Sequence, residues 1–119
     1  MPDKNGHPSV EEMELGAIFS ALGDPLRLKV VLALAADPAD ARMCGSFELP
    51  VAKATRTYHF RVLRESGLIR QVDHGNGRSN TLRLEELRQR FPALVELILT
   101  EAKTGAFRPL KLEDLTAKA

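Results

Sequence analysis

Between Lys53 and Leu84 the sequence changes its period. Ala52, Phe60 and Leu63, with Val62 beside them, fall at the spacing of one helix face, and Ser66-Gly67 ends the pattern. Leu68, Ile69 and Val72 then start a short apolar–polar run, and Thr81, Leu82 and Leu84 lie on a second. His74-Gly75-Asn76-Gly77-Arg78 stands between them, and Asn-Gly is a strong signal for a tight hairpin. A two-stranded hairpin is at best marginal on its own in water. The helix at about 52–66 and the hairpin behind it must therefore pack on elements supplied by the rest of the chain.

The other side of that helix is polar. Lys53, Thr57, Tyr58, Arg61 and Arg64 can share one exposed surface, with Thr57, Arg61 and Arg64 at i, i+4 and i+7. The charge distribution singles out the same region. The whole chain has a formal net charge of +1, yet residues 53–90 hold nine Lys/Arg against four Asp/Glu. Residues 1–52 hold four against eight, and residues 91–119 four against four. Positive charge gathered in one third of a nearly neutral chain points to a localised anionic partner. Hydroxyls and amines on such a face can bond phosphates or base edges, and an arginine can hold guanine with two bonds. At the hairpin tip, His74 and Arg78 are in position to reach a phosphate or a minor groove. A solvated surface helix is the plain alternative, and the adjoining hairpin weighs against it.

The remaining elements follow from local signals. Pro2, Asn5, Gly6, Pro8 and Ser9 suggest a loose arm over residues 1–9. Ser9 and Glu12 form a capping-box pattern, so a first helix is expected from about Val10 to Leu22. Its stripe is Met13, Ala17, Ile18 and Leu22, with Leu15 and Phe19 beside it, a broad apolar surface for so short a helix. Gly23-Asp24-Pro25 closes it and caps a second helix, Leu26 to about Ala36, with Leu28, Val31, Leu32 and Ala35 inward and Val30 and Leu34 flanking. Cys44–Leu49 supports a single short helical piece before Pro50. After the hairpin a short helix is expected at about 85–90, and Pro92 opens a longer one to about Lys103. Leu94, Val95, Leu97, Ile98 and Leu99 make that last helix apolar nearly all round, as self-association would require. Gly105 ends it, and Phe107, Leu110, Leu112 and Leu115 are spaced along a C-terminal tail over 104–119.

Several function classes recede. A length of 119 residues fits one domain. No apolar run nears the ~20 residues of a membrane span, and the opening MPDKNGHPSVEEME lacks the apolar core of a signal peptide. Cys44 is the single cysteine, so no internal disulfide is expected, in keeping with a reducing cytoplasm. There is no Ser-His-acid set and no phosphate loop ahead of a helix, so an enzyme is not expected. One cysteine and three scattered histidines do not supply the roughly four ligands of a zinc site, so neither metal nor cofactor is expected. Cys44, with Arg42 two residues before it, is a candidate redox thiol, against the plainer reading of an inert semi-buried one.

Two stretches carry a family resemblance. ALGDPLRLKVVLALA, from Ala21 to Ala35, resembles the opening of the ArsR-type (ArsR/SmtB) bacterial winged helix-turn-helix repressors. HFRVLRESGLI, from His59 to Ile69, resembles the signature of their recognition helix, and HGNGRSNTLRL looks like their wing. With the flanking helices the resemblance spans residues 10–103. It implies a mainly α fold with a β-hairpin wing, in the order α-α-α-α-β-β-α, the last helical region broken at Pro92. It also implies a cytoplasmic homodimer seamed by its first and last helices, which represses transcription from an inverted-repeat operator in double-stranded DNA. Carried over by position, the DNA face is Lys53, Thr55, Thr57, Tyr58, Arg61 and Arg64, with Arg78 on the wing, and His59 supports the packing. Arg56 stands where the family has an apolar residue, which turns it outward to phosphate or shifts the helix start. The region MCGSFELP has one cysteine where many such repressors hold metal through two, and the last helix has no His or Cys, which leaves the effector open.

Overall fold

The computed structural model describes residues 1–47 and 49–104, so the expected tail, with Gly105 and the leucines after it, lies outside the described residues. The elements are α1 (Leu15–Leu22), α2 (Pro25–Ala36), β1 (Arg42–Met43), a 3-10 turn (Cys44–Ser46), α3 (Lys53–Ser66), β2 (Ile69–Asp73), β3 (Arg78–Leu82), α4 (Leu84–Arg90) and α5 (Pro92–Thr104). Among the described residues this is a mainly α fold of five α-helices with a small three-stranded antiparallel sheet, strand order β1-β3-β2, in a layout consistent with a winged helix.

The central element is α2. Asp24 starts it, its Oδ1 accepting the N–H groups of Leu26 (2.8 Å) and Arg27 (3.2 Å), with Pro25 at the first turn. Such a cap contributes about 1 kcal/mol. Leu26, Val30, Val31, Leu32, Leu34 and Ala35 are all buried, which is wider than the single stripe the periodicity suggests. The reason is that α2 packs on α1, α3, α5 and β3 at once. The core continues through Ile18 and Ala21 of α1, Phe60 and Leu63 of α3, Ile69 and Leu82 of the hairpin, Leu87 of α4, and Val95 and Ile98 of α5.

Several expectations need correction. The first helix starts at Leu15, not near Val10. Ser9 and Glu12 do interact, Glu12 Oε1 accepting the Ser9 N–H at 2.9 Å, but they close a turn. The chain then extends at Glu14 so that Met13 can bury its side chain beside Gly67, and Ala17 is left exposed. Second, the helical piece before Pro50 is only the 3-10 turn, and an unexpected β1 precedes it, pairing Arg42 with Asn80 and Met43 with Ser79. Third, Leu84 opens α4 instead of ending the return strand, and Ala52 is the exposed N-cap of α3 instead of a core residue.

Residues 1–9 carry more structure than their composition suggests. Asp3 accepts the N–H groups of Asn5 and His7 at 2.9 Å each and bonds the His7 ring. His7 is buried, and its Nε2 accepts the Gln71 N–H of β2 at 3.0 Å. That bond leaves the ring proton on Nδ1, facing Asp3 at 2.9 Å. Burial, reinforced by Arg70 and Arg83 and opposed by Asp3, holds the His7 pKa below 6.5. Protonation of Nε2 would set two donors against each other. In the unfolded chain His7 takes its proton near pH 6.5, before the folded chain does, so stability should fall as pH drops below that value. His59, also lowered by burial, contributes with the same sign. Urea midpoints measured on either side of pH 6.5 check this, and His7→Gln should flatten the dependence while leaving the share of His59.

Candidate nucleic-acid interface

The site is built on α3 and the β2–β3 hairpin. A Schellman closure ends α3. Gly67 sits in the left-handed region at φ 96°, its N–H bonds the Arg64 carbonyl at 3.1 Å, and the Leu68 N–H bonds the Leu63 carbonyl at 3.2 Å. The bend places β2 directly beside the helix. Its inward face is His59, Phe60, Leu63 and Ser66. His59 Nδ1 accepts from Arg27 at 3.0 Å, tying α3 to α2, and Phe60 meets the Phe47 ring at 5.5 Å.

The outward face carries Lys53, Thr55, Thr57, Tyr58 and Arg61, all exposed. The Arg61 guanidinium lies over the Tyr58 ring, 5.4 Å from its centroid, so the two side chains form one projecting unit. Arg56 is half-buried and lines a cleft of about 570 Å³ between the first half of α3, the 3-10 turn and the hairpin tip. Lys53, Thr57, Cys44 and Arg78 share that cleft. Arg78 and His74 are exposed on the hairpin, as is Asp73, whose Oδ2 lies 3.9 Å from Arg78 Nε. His74 donates its backbone N–H to Gly77 (2.8 Å) and its ring meets the Ser79 hydroxyl at 2.8 Å. The tip turns through positive φ at Gly75 and Gly77. Thus α3 and the hairpin bring seven of the nine predicted side chains to an exposed surface, with Arg56 and Arg64 partly withdrawn.

Arg64 is turned towards the hairpin. Its Nη1 donates to Gln71 Oε1 at 2.6 Å, and its Nε is buried with no hydrogen-bond partner among the described residues. Burial, with Arg78 and Arg61 nearby, pulls its pKa below the usual arginine range, although the group stays charged at neutral pH. Gln71 also donates to Asn80 Oδ1 (2.8 Å), and both amides donate to the Cys44 sulfur, at 3.4 and 3.3 Å. Cys44 is therefore half-buried in a polar cluster.

Gln71 and Asn80 fall outside the apolar spacing of the two runs. They face each other in register and occupy inward positions, on the same face as Ile69 and Leu82. A polar residue at an inward strand position was the available signal. Among the described residues, no group of three or more His, Cys, Asp or Glu side chains is placed to hold a metal ion. No helix among them is long and apolar enough to cross a membrane. No family model matches the sequence, and no curated protein does.

Proposed function

We propose that the protein is a cytoplasmic, dimeric, sequence-specific DNA-binding repressor of the winged helix-turn-helix kind, similar to the ArsR-type regulators. The observation that carries this reading is the pairing of an exposed cationic face on α3 (Lys53, Thr57, Tyr58, Arg61) with a hairpin that presents Arg78 beside it. A helix of this width fits a major groove, and the neighbouring hairpin reaches the backbone or the adjacent minor groove. Lys53 and Arg78 serve as phosphate contacts and Arg61 as the base reader. Arg64 holds the helix to the hairpin through Gln71. A second copy completes the site. Phe19 and Leu15 of α1 and Leu97 of α5 are 57%, 42% and 60% exposed, apolar side chains that a two-fold partner would cover. Two α3 helices on one side of a dimer would read half-sites ~34–36 Å apart. Repression follows from occupying a promoter, and release from an effector that favours a weakly binding state.

Arg61→Ala should weaken binding to a duplex selected from a random-sequence pool by about 1–3 kcal/mol and relax its sequence preference. The dimer, followed by sedimentation, should persist. Lys53→Ala should weaken all duplexes alike and lower the salt slope by about 1. Absence of any duplex binding at low salt would sink the DNA reading and leave a winged-helix protein-interaction module.

A further inference from the structure

A second cavity, of about 250 Å³, shares Gln71 and Arg78 with the cleft facing the helix start. It is lined by Lys4, Asn5, Arg64, Gln71, Asp73 and Arg78. Three separately anchored segments converge there. The turn at residues 3–7 is held by Asp3 and by the His7–Gln71 bond. The end of α3 supplies Arg64, and the hairpin supplies Gln71, Asp73 and Arg78. The lining carries three cations and one carboxylate.

One carboxylate, Asp73, offsets part of that charge by pairing with Arg78. Asp73 Oδ1 accepts the Gly75 N–H at 2.8 Å, and its other oxygen is 3.9 Å from Arg78. Asp3 is committed to His7 and to two backbone N–H groups. Glu65 is exposed. Neither Lys4 nor Arg64 forms an ion pair with a carboxylate among the described residues. Arg64 Nε is buried without a hydrogen-bond partner among the described residues, so the guanidinium is only partly satisfied within the protein, by Gln71. Gly6 lies against the guanidinium. A Cβ added there would sit 3.7 Å from Arg64 Nε and 3.5 Å from the Glu65 side chain.

We infer that this cavity is a binding site for a small phosphoryl dianion, either free phosphate or the phosphate of a small monoester. Such a group matches the net charge of the lining. It offers acceptors to Arg64, Lys4, Arg78 and the Asn5 amide at once, and at neutral pH it carries between one and two negative charges, the monoester more than free phosphate. The site goes beyond the DNA reading and does not depend on it, because it includes Lys4 and Asn5 from outside α3 and the hairpin. Occupancy would draw Arg78 inward and tie the N-terminal turn to the α3–hairpin bend.

The test uses the full chain without DNA. Inorganic phosphate and methyl phosphate are titrated at ionic strength held constant with chloride, while NMR follows the Arg64 Nε–H and the Gln71 side-chain amide. A saturable shift at both groups is expected. Saturation by phosphate but not by methyl phosphate would assign free phosphate as the ligand, and saturation by both would extend the site to monoesters. Arg64→Gln should weaken binding about tenfold or more. If that variant fails to fold, Lys4→Gln, on an exposed side chain, should still weaken binding several-fold with the fold intact. A linear, salt-like response, or binding indifferent to Lys4→Gln, would overturn the inference. So would saturation of the same two groups by a short duplex, added in a separate titration, with none by phosphate, which would assign the cavity to a nucleic-acid backbone.

Discussion

Glu86→Ala should destabilise the protein by about 3 kcal/mol, one of the two largest effects the structure leads us to expect from a single substitution outside the apolar core. Arg83, between β3 and α4, is 5% exposed. Its Nε donates to Glu86 Oε1 at 3.0 Å, and its Nη2 bonds the other Glu86 oxygen. Arg70 reaches the same carboxylate from β2 at 3.2 Å. The two arginines, Arg83 above all, hold the Glu86 carboxyl below the usual carboxylate range. Removing the carboxylate strands the Arg83 guanidinium, whose Nη1 is already buried without a partner among the described residues. An unpaired buried charge is far worse than no charge, so Arg83→Met in the Glu86→Ala background should restore much of the loss. Urea denaturation of the two variants decides the matter. Equal stability of Glu86→Ala and the parent would mean that solvent, not Glu86, neutralises Arg83.

Gly67→Ala should destabilise by about 2–3 kcal/mol. The backbone there is at φ 96°, where an L side chain adds about 1–2 kcal/mol of strain. The new Cβ would also lie 3.0 Å from Met13 Cγ, 3.2 Å from Met13 Cε and 3.3 Å from the Pro8 ring. Met13 is flexible but almost fully buried, so yielding displaces a packed side chain and adds a second increment of about 1 kcal/mol. The two parts are separable. Met13→Ala should relieve the steric part when combined with Gly67→Ala, while the φ part persists. A chevron or equilibrium melt of all three variants, showing no interaction between the sites, would remove the steric half of the argument.

The α3–hairpin unit is legible in the sequence because its signals are local and agree with one another. Helical spacing of Phe60 and Leu63, a glycine stop and two alternating runs around a glycine tip all fall within thirty-two residues. Asp24-Pro25 is equally plain, since cap and first turn are adjacent. What stays hidden depends on distance along the chain. Met13 leaves the first helix to fill a space beneath Gly67, which no local pattern foretells. β1 is two residues long and exists only because β3 offers it an edge. His7 is placed by a strand residue 64 positions away, so a Pro- and Gly-rich start looks looser than it is. Arg64 falls on the polar side of α3 by spacing, yet Gln71 draws it towards the hairpin. Spacing assigns a residue to a side of a helix, and the neighbouring element decides what that side meets.

The bond between His7 and Gln71 also bears on what the protein must avoid. β2 is an outer strand of the sheet, and its Gln71 N–H, which β3 does not use, is taken by the imidazole. Outer strands with free amides invite pairing with strands of other molecules. A ring that accepts one amide and offers no backbone in return interrupts that template at its middle residue, and the charged Arg70 beside it discourages a close approach. The first turn of the chain thus acts as a guard against self-templated aggregation. Acid that charges His7 would loosen the guard first, so a milky solution in mild acid is its most visible consequence.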